Sequence, residues 1–412
     1  MSLADQASLL LIPSGYKSQK VYSIFPTDGD GDFDFSRSGS ATRIAKNGLI
    51  TTVDSNIPRL EYPMIDGVQK GCPSLILEPQ RTNSLTYSED FENYFNISEI
   101  TLNPNYAISP DGTLNANKVT FPFASRSMYK NTLSLSGTHS ISFWYKGEGS
   151  NIGKTFNVRL ALGATVQNIK VTLESGWKRF EAQNNGLQVF EITNRNNTTI
   201  GTGSLLLYGF QTEQGSYSTS YIPTNGTAVT RQAETCNGAG DAATFNDSEG
   251  VLMAEISSDV KKGKTDDDIR SIYLSDGSDA NRVVIRFMGS TLAENTVNFL
   301  IQSTGSSVQQ QNITMPYNIT NFNKYVIRWK NNEVTFFANG FEVGNQLTSF
   351  TTFTSGTLND ITFDRASGAE PFYGKTKQLQ CYNSALTDSE LEKLTSWTSF
   401  SDMANGQQYT II

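Results

Sequence analysis

From His139 to Gly147 the sequence HSISFWYKG places Ile141, Phe143 and Tyr145 on one face of an extended chain and Ser142, Trp144 and Lys146 on the other, because successive strand side chains point to opposite faces. This period of two, bounded by Gly, Asn, Asp or Ser, recurs along most of the chain. Between about Leu85 and Arg231 it returns in TFNVRLALG, TVQNIKVTL, KRFEAQN, QVFEITN and GSLLLYGFQTE. A second series follows in GVLMAEISS, IRSIYLSDGS, NRVVIRFMG, NTVNFLIQS, NKYVIRWKN, EVTFFANG, LNDITFD and KQLQCYNSAL. Short strands separated by turn signals, with no sustained helical period, predict β-sandwiches.

The turns sharpen this reading. KYVIRWKNNEVTFFANGFEV predicts two hairpins, one turning at Lys330 to Asn332 and one at Ala338-Asn339-Gly340-Phe341, where Asn-Gly supplies the positive φ of a type I′ turn. LTDSELEKLTSW, with Thr387 as N-cap, acids in the first turn, and Leu391 and Leu394 three apart, predicts one short helix. From Ser23 to about Asn83, short strands broken by Gly, Pro and Asp read as an irregular β-rich lead-in; within it, Leu75 and Leu77 share one face of a strand and Ser74, Ile76 and Glu78 the other. The run from Gly215 to Ala243, rich in Gly, Ser, Thr and Ala, is the best linker candidate. The expected architecture is all-β: tandem antiparallel sandwiches of jelly-roll type after an irregular N-terminal region, with one short C-terminal helix. The expected divisions are 1–84, 85–231 and 232–412.

Aromatics at 11% and charged residues at only 17% suit strands better than long charged helices. A net charge of −8 and the lack of any Lys/Arg run argue against a nucleic-acid partner. The apolar patch from Leu9 to Ile12 has no cationic segment before it and a proline directly after, so it reads as neither signal peptide nor membrane anchor. Cys72, Cys236 and Cys381 are too far apart to form a metal motif and read as small buried thiols of a protein folded in a reducing compartment.

The stretch DGDGDFDFSRSGSATRI, from Asp28 to Ile44, poses a choice between a calcium loop and a turn entering a strand. An EF-hand starting at Asp28 needs Gly at its sixth position and Glu at its twelfth. Phe33 and Gly39 stand there, and Phe33 and Phe35 alternate with Asp32 and Asp34, so the turn and half-buried strand are expected. That stretch, followed by NIPRLEY, CPSLILEPQRTNSLTYSEDFEN, SPDGTLNANKVT and GSYSTSYIPTNGTAVTRQAE, resembles a module set of bacteriophage structural proteins. The resemblance covers residues 1 to about 235 and implies a fibre, spike or other appendage of the virion. The middle region, from SEDFEN to TEQGSYSTSYIPT, resembles jelly-roll carbohydrate-binding modules. The last region resembles the concanavalin A-like lectin/laminin-G fold through GVLMAEI, NRVVIRF, WKNNEVTFFANG and FYGKTKQLQCYNSALTDSEL.

Chemistry is sought and not found. Glucanases of that fold carry acids at alternate positions of one strand. Here Glu255 stands alone in MAEISS, and the acids of TDDDIR at Thr265 to Arg270 are consecutive. His139, the single histidine, has no nucleophile elbow to serve and is expected at a surface or edge position. Asp276, Asp279 and Asn281 in SDGSDANR could offer oxygens to calcium but read first as a hairpin turn. Trp144 and Trp329 read as packing residues, Trp177 as a ring laid on the sandwich from a turn-to-strand position, and Trp397 as part of the terminal helix; Tyr208, Tyr317 and Tyr373 are candidates for exposure. The expectation is a non-enzymatic virion protein with no catalytic residue, metal or cofactor and no assigned sugar-binding residue. Assembled in bacterial cytoplasm, it would meet other virion proteins through its N-terminal region. It would form homo-oligomers, trimers above all, that touch host surface polysaccharide, without membrane insertion.

Overall fold

The computed structural model describes residues 2–65, 68–69, 71–259, 269–289, 292–304, 308–365, 368–397, 399 and 401–403. Two antiparallel β-sandwiches are built from it. The C-terminal one opposes a five-stranded sheet, in the order Gln309–Thr314, Thr296–Gln302, Arg282–Phe287, Arg270–Ser275 and Asp360–Thr362, to an eight-stranded sheet. The larger sheet runs Phe341–Glu342, Glu333–Ala338, Asn323–Lys330, Glu249–Ser258 and Gly374–Tyr382, then Ser74–Leu77 and Leu60–Glu61. Both expected hairpins are present: Lys330 pairs with Glu333 and Ala338 with Phe341, and Asn339 and Gly340 have φ of 49° and 92°. Asp388–Thr395 is the expected helix, with Thr387 and Glu390 forming a reciprocal capping box.

The lead-in is woven into this sandwich. Leu9–Leu11 pairs with Leu379–Cys381, and Leu75–Leu77 pairs with Gly374–Thr376 of the same strand. Two segments far apart in sequence thus cover successive halves of one strand edge that would otherwise expose its amides and carbonyls. Leu9, Leu11, Phe33, Phe35, Leu75 and Leu77 enter the same core as Leu252, Ile285 and Trp329, each worth about 1.5–3 kcal/mol of apolar burial. The aspartate stretch is a turn leading into the strand Phe33–Ser36, whose phenylalanines are buried and alternating residues exposed. Asp28 Oδ1 accepts from the Asp30 amide at 3.1 Å, and Asp32 Oδ1 from the Ser23 amide at 3.0 Å.

The middle sandwich packs a five-stranded sheet, Thr101–Ile108, Leu114–Thr120, Ser204–Gln214, Leu135–Lys146 and Lys178–Leu187, on a four-stranded one, Ser127–Lys130, Val189–Thr193, Thr155–Leu162 and Thr165–Thr172. Phe143 stacks on Phe180 at 4.8 Å and on Phe210 at 4.7 Å in its core. The outer face of the five-stranded sheet is apolar too: Trp144, Tyr208 and Ala116 pack with Tyr221 and with Ile50 of the lead-in hairpin Ala41–Ile44/Ile50–Val53.

Residues 215–243 are no loose linker. They hold half of a buried charge cluster. Glu234 Oε1 accepts from Arg37 Nη1 at 2.7 Å and Arg59 Nε at 2.8 Å, and its other oxygen accepts from Arg59 Nη2 and, at 3.0 Å, the Glu78 amide. Glu78 in turn meets Arg59 at 2.8 Å, Arg231 at 2.7 Å and the Ser220 hydroxyl at 2.6 Å. Three guanidinium groups face two carboxylates, and the surplus positive charge is shared with backbone carbonyls: Arg37 donates to those of Gly39, Val53, Asp54 and Ile57, and Arg231 to that of Pro79. A glycine- and serine-rich composition looks like a linker, but here small side chains let the backbone approach fixed ions. Cys236 and Cys381 are buried in the C-terminal core, whereas Cys72, in the turn before Ser74–Leu77, is exposed, contrary to expectation.

Burial alone would push the Glu78 carboxyl up, but Arg231, Arg59 and the Ser220 hydroxyl and amide together hold it well below the usual carboxylate range. A depressed folded-state value means that this contribution is complete above the ordinary value of 4.5 and is lost as pH falls below it. Urea midpoints measured downward from neutral pH should therefore fall below pH 4.5, and fall less steeply in Glu78→Gln. Glu234→Ala strands two buried guanidiniums and should lower stability by about 3–5 kcal/mol, read as a drop in urea midpoint at pH 7.

Candidate functional site

A cleft lined by converging polar groups lies at one end of the middle sandwich and encloses about 510 Å³. Its first wall begins where the chain enters that sandwich. Asp90 caps the four-residue helix Phe91–Tyr94, accepting from the Asn93 amide at 3.1 Å. Phe91 anchors this turn in the core against Phe95 and Phe210, which leaves Glu89, Asp90 and Glu92 along the opening. Pro104 and Asn105 form a second wall where the strand Thr101–Ile108 bulges between Asn103 and Ala107. Asn105 takes a left-handed φ of 52°, a conformation asparagine accepts more readily than most residues. Asn115 and Asn117 form the floor, and Pro223, Thr224 and Asn225 close the far side.

Glu89 is held rigidly. Its Oε1 lies 3.2 Å from the Tyr208 hydroxyl and 2.8 Å from that of Tyr221, and its Oε2 accepts from Asn115 Nδ2 at 3.0 Å. The same Asn115 amide donates to Asp111 Oδ2 at 3.0 Å, so the two carboxylates stand side by side with a shared donor. Asp111 does not line the opening. Burial works against its charge, but hydrogen bonds from Thr113, Ser109 and Asn115 prevail and hold its carboxyl below the usual range. Burial, then the charges of Glu89 and Asp111, pushes the Tyr208 hydroxyl far above its ordinary value, so it remains a donor.

Several polar groups at the cleft have no partner. Asn115 Oδ1 and Thr224 Oγ1 are buried and make no hydrogen bond, and Thr224 is only 6% exposed. Glu92, Asn105 and Asn225 are exposed, with no side-chain hydrogen bond or ion pair among the described residues. No lysine or arginine lines the opening. The cleft thus presents acceptors and amides around a small space with apolar proline rings at its lip, an arrangement suited to hydroxyl-bearing ligands.

The residues weighed from sequence lie elsewhere or play other parts. Glu255 accepts from Gln378 Nε2 at 2.6 Å within a polar ladder that continues through Gln380 to Tyr382. Asp276 accepts from the Ser278 amide at 2.9 Å, the Ser278 hydroxyl at 2.6 Å and Asn281 Nδ2 at 2.7 Å. Asp279 pairs with Arg282 at 2.6 Å and with Arg365, so loop 276–281 is a hairpin turn whose acids are taken up by protein donors. The acids of TDDDIR lie outside the described residues. Among the described residues no three His, Cys, Asp or Glu side chains gather to hold a metal ion.

His139 departs from its expected edge position: it is 5% exposed in an interior strand, paired with Asn184 on one side and Gln214 on the other. Tyr208 is buried rather than exposed, and Tyr317 and Tyr373 are half-buried. Trp329 lies in the C-terminal core, and Trp144 packs between its sheet and Tyr221. Trp177 is half-buried before its strand and donates to the Ile108 carbonyl at 3.1 Å. Trp397 lies just beyond the helix Asp388–Thr395, with Lys324 Nζ 5.2 Å from its ring. The cleft residues themselves escaped sequence reading. The available signal was SEDFEN, where Asp90 followed by Phe91 and Glu92 has the form of a helix start.

The family model described as the concanavalin A-like lectin/glucanases superfamily matches residues 257–392. No curated protein matches in sequence. Among solved structures, the heptameric SAP-like pentraxin of Limulus polyphemus is 11% identical, with 37% of this chain and 71% of that one covered and a TM-score of 0.28. Domain 4 of AbnA, an extracellular arabinanase from Geobacillus stearothermophilus, is 15% identical, with coverage of 44% and 83% and a TM-score of 0.29. Domains LG4-5 of the mouse laminin alpha1 chain are 8% identical, with coverage of 64% and 88% and a TM-score of 0.25. The C-terminal sandwich is thus similar to concanavalin A-like lectins and glucanases across the matched span.

Proposed function

We propose that this chain is a non-enzymatic, glycan-binding subunit of a bacteriophage virion appendage, a head or tail fibre or spike. The observation that carries the binding half of this reading is the cleft in which Glu92, Asn105, Asn225, Thr224 Oγ1 and Asn115 Oδ1, all without protein partners, converge beside the bonded Glu89. The virion half is supported by the ordered series of phage-like stretches between Asp28 and Glu234. In this reading the protein assembles with other virion proteins through its N-terminal region and forms trimers. Displayed copies would turn weak sugar contacts into firm attachment, since each later contact is effectively intramolecular.

The rival reading is a polysaccharide depolymerase. At the cleft, Glu89 and Asp111 stand side by side, yet Asp111 sits behind the wall with its carboxyl held low, whereas a general acid needs a raised value and contact with the sugar. Binding of the assembled protein to host capsule or lipopolysaccharide on a glycan array, with no new reducing ends after prolonged incubation, is the expected result. Sustained release of short glycans would establish the depolymerase instead, and an array with no binding would leave a purely structural virion protein. Density for this chain on the intact particle tests the virion half separately.

A further inference from the structure

We infer that the cleft at the end of the middle sandwich selects a polyhydroxylated sugar and excludes acidic ones, an inference that rests on the glycan-binding reading. Three carboxylates, Glu89, Asp90 and Glu92, line the opening, and no cation does. A uronate, sialate or sulfate placed there would face like charge on one wall with nothing opposite to neutralise it, and repulsion between unpaired like charges strengthens as water is displaced. Ionised carboxylates accept and never donate. The ligand they favour is therefore one that brings O–H groups.

The remaining groups fit the same ligand. Thr224 is more than nine-tenths buried with its Oγ1 unpartnered, and Asn115 Oδ1 also lacks a partner. The side chains of Asn105 and Asn225 can each donate and accept, which suits a hydroxyl acting both ways. Two of the three acids are engaged by protein donors, all of them neutral, and so keep their charge. Glu89 is bonded by Tyr208, Tyr221 and Asn115, and Asp90 by Asn93. Only Glu92 remains free, one carboxylate among neutral amides.

The test uses the whole chain and length-matched tetrasaccharides of two kinds, neutral hexose and uronate. The neutral series should bind, with the uronates at least tenfold weaker at low salt and that gap narrowing as added salt screens the carboxylates. Glu92→Gln and Asn225→Ala, both at exposed positions, should weaken neutral-sugar binding about tenfold while leaving the melting temperature unchanged. Glu92→Lys should close or reverse the gap against uronates. Uronates binding as tightly as neutral sugars, or a gap indifferent to salt and to Glu92→Lys, would overturn the inference while leaving glycan binding intact. Absence of binding by any series would remove the glycan-binding reading itself and the inference with it.

Discussion

The carboxylate of Glu234, held between Arg37 and Arg59 with every partner removed from water, is the contact around which the molecule is arranged. Taking such ions out of water costs several kcal/mol each, and attraction offsets this only when geometry is good and the remaining donors are satisfied. Most are: Arg37 and Arg59 direct their nitrogens at carboxylates, carbonyls and Ser220, while Arg231 Nε stays unpartnered. A cluster built this way adds little net stability over an apolar core of the same volume, but it is unforgiving of rearrangement. Its partners come from the lead-in, from the strand Ser74–Leu77 and its exit, and from the segment joining the sandwiches, so one arrangement of all three is favoured over any slipped alternative.

The strand alternation and the turns were legible in the sequence because they are local. HSISFWYKG sends Ile141 and Phe143 into the core its period assigns, although Trp144 on the other face is buried too, and Asn339-Gly340 turns where the dipeptide requires. The charge cluster was illegible for the opposite reason. Arg37 and Glu234 stand 197 positions apart, and nothing in the spacing of an arginine and a glutamate marks them as partners. Its members come from SRSGSATR, NIPRLEY, LEPQRTN, STSYIPT and TRQAE, stretches that meet only in the fold. The same remoteness explains the misread linker: residues 215–243 have the composition of a flexible tether, and their fixed course comes from partners elsewhere in the chain. His139 was misplaced because a polar strand entry resembles an edge until both neighbouring strands are known.

The cleft follows from this architecture. Thr224 and Asn225 reach it only because the segment after Gln214 folds back over the middle sandwich, where Tyr221 packs on Trp144 and bonds Glu89. The cluster that fixes Ser220 therefore also fixes one wall of the opening. Aromatic residues serve here as supports beneath the polar groups rather than as an exposed stacking platform, which is why a search for exposed tyrosines and tryptophans did not lead to the site.

Hydrogen exchange under native conditions tests the central claim, that the lead-in and the C-terminal sandwich form one cooperative unit. Amides of Leu9–Leu11 and Leu75–Leu77 should exchange with the same free energy as their partners in Gly374–Tyr382, and all should lose protection together in Glu234→Ala. Rapid exchange in the lead-in strands while Gly374–Tyr382 stays protected would contradict it.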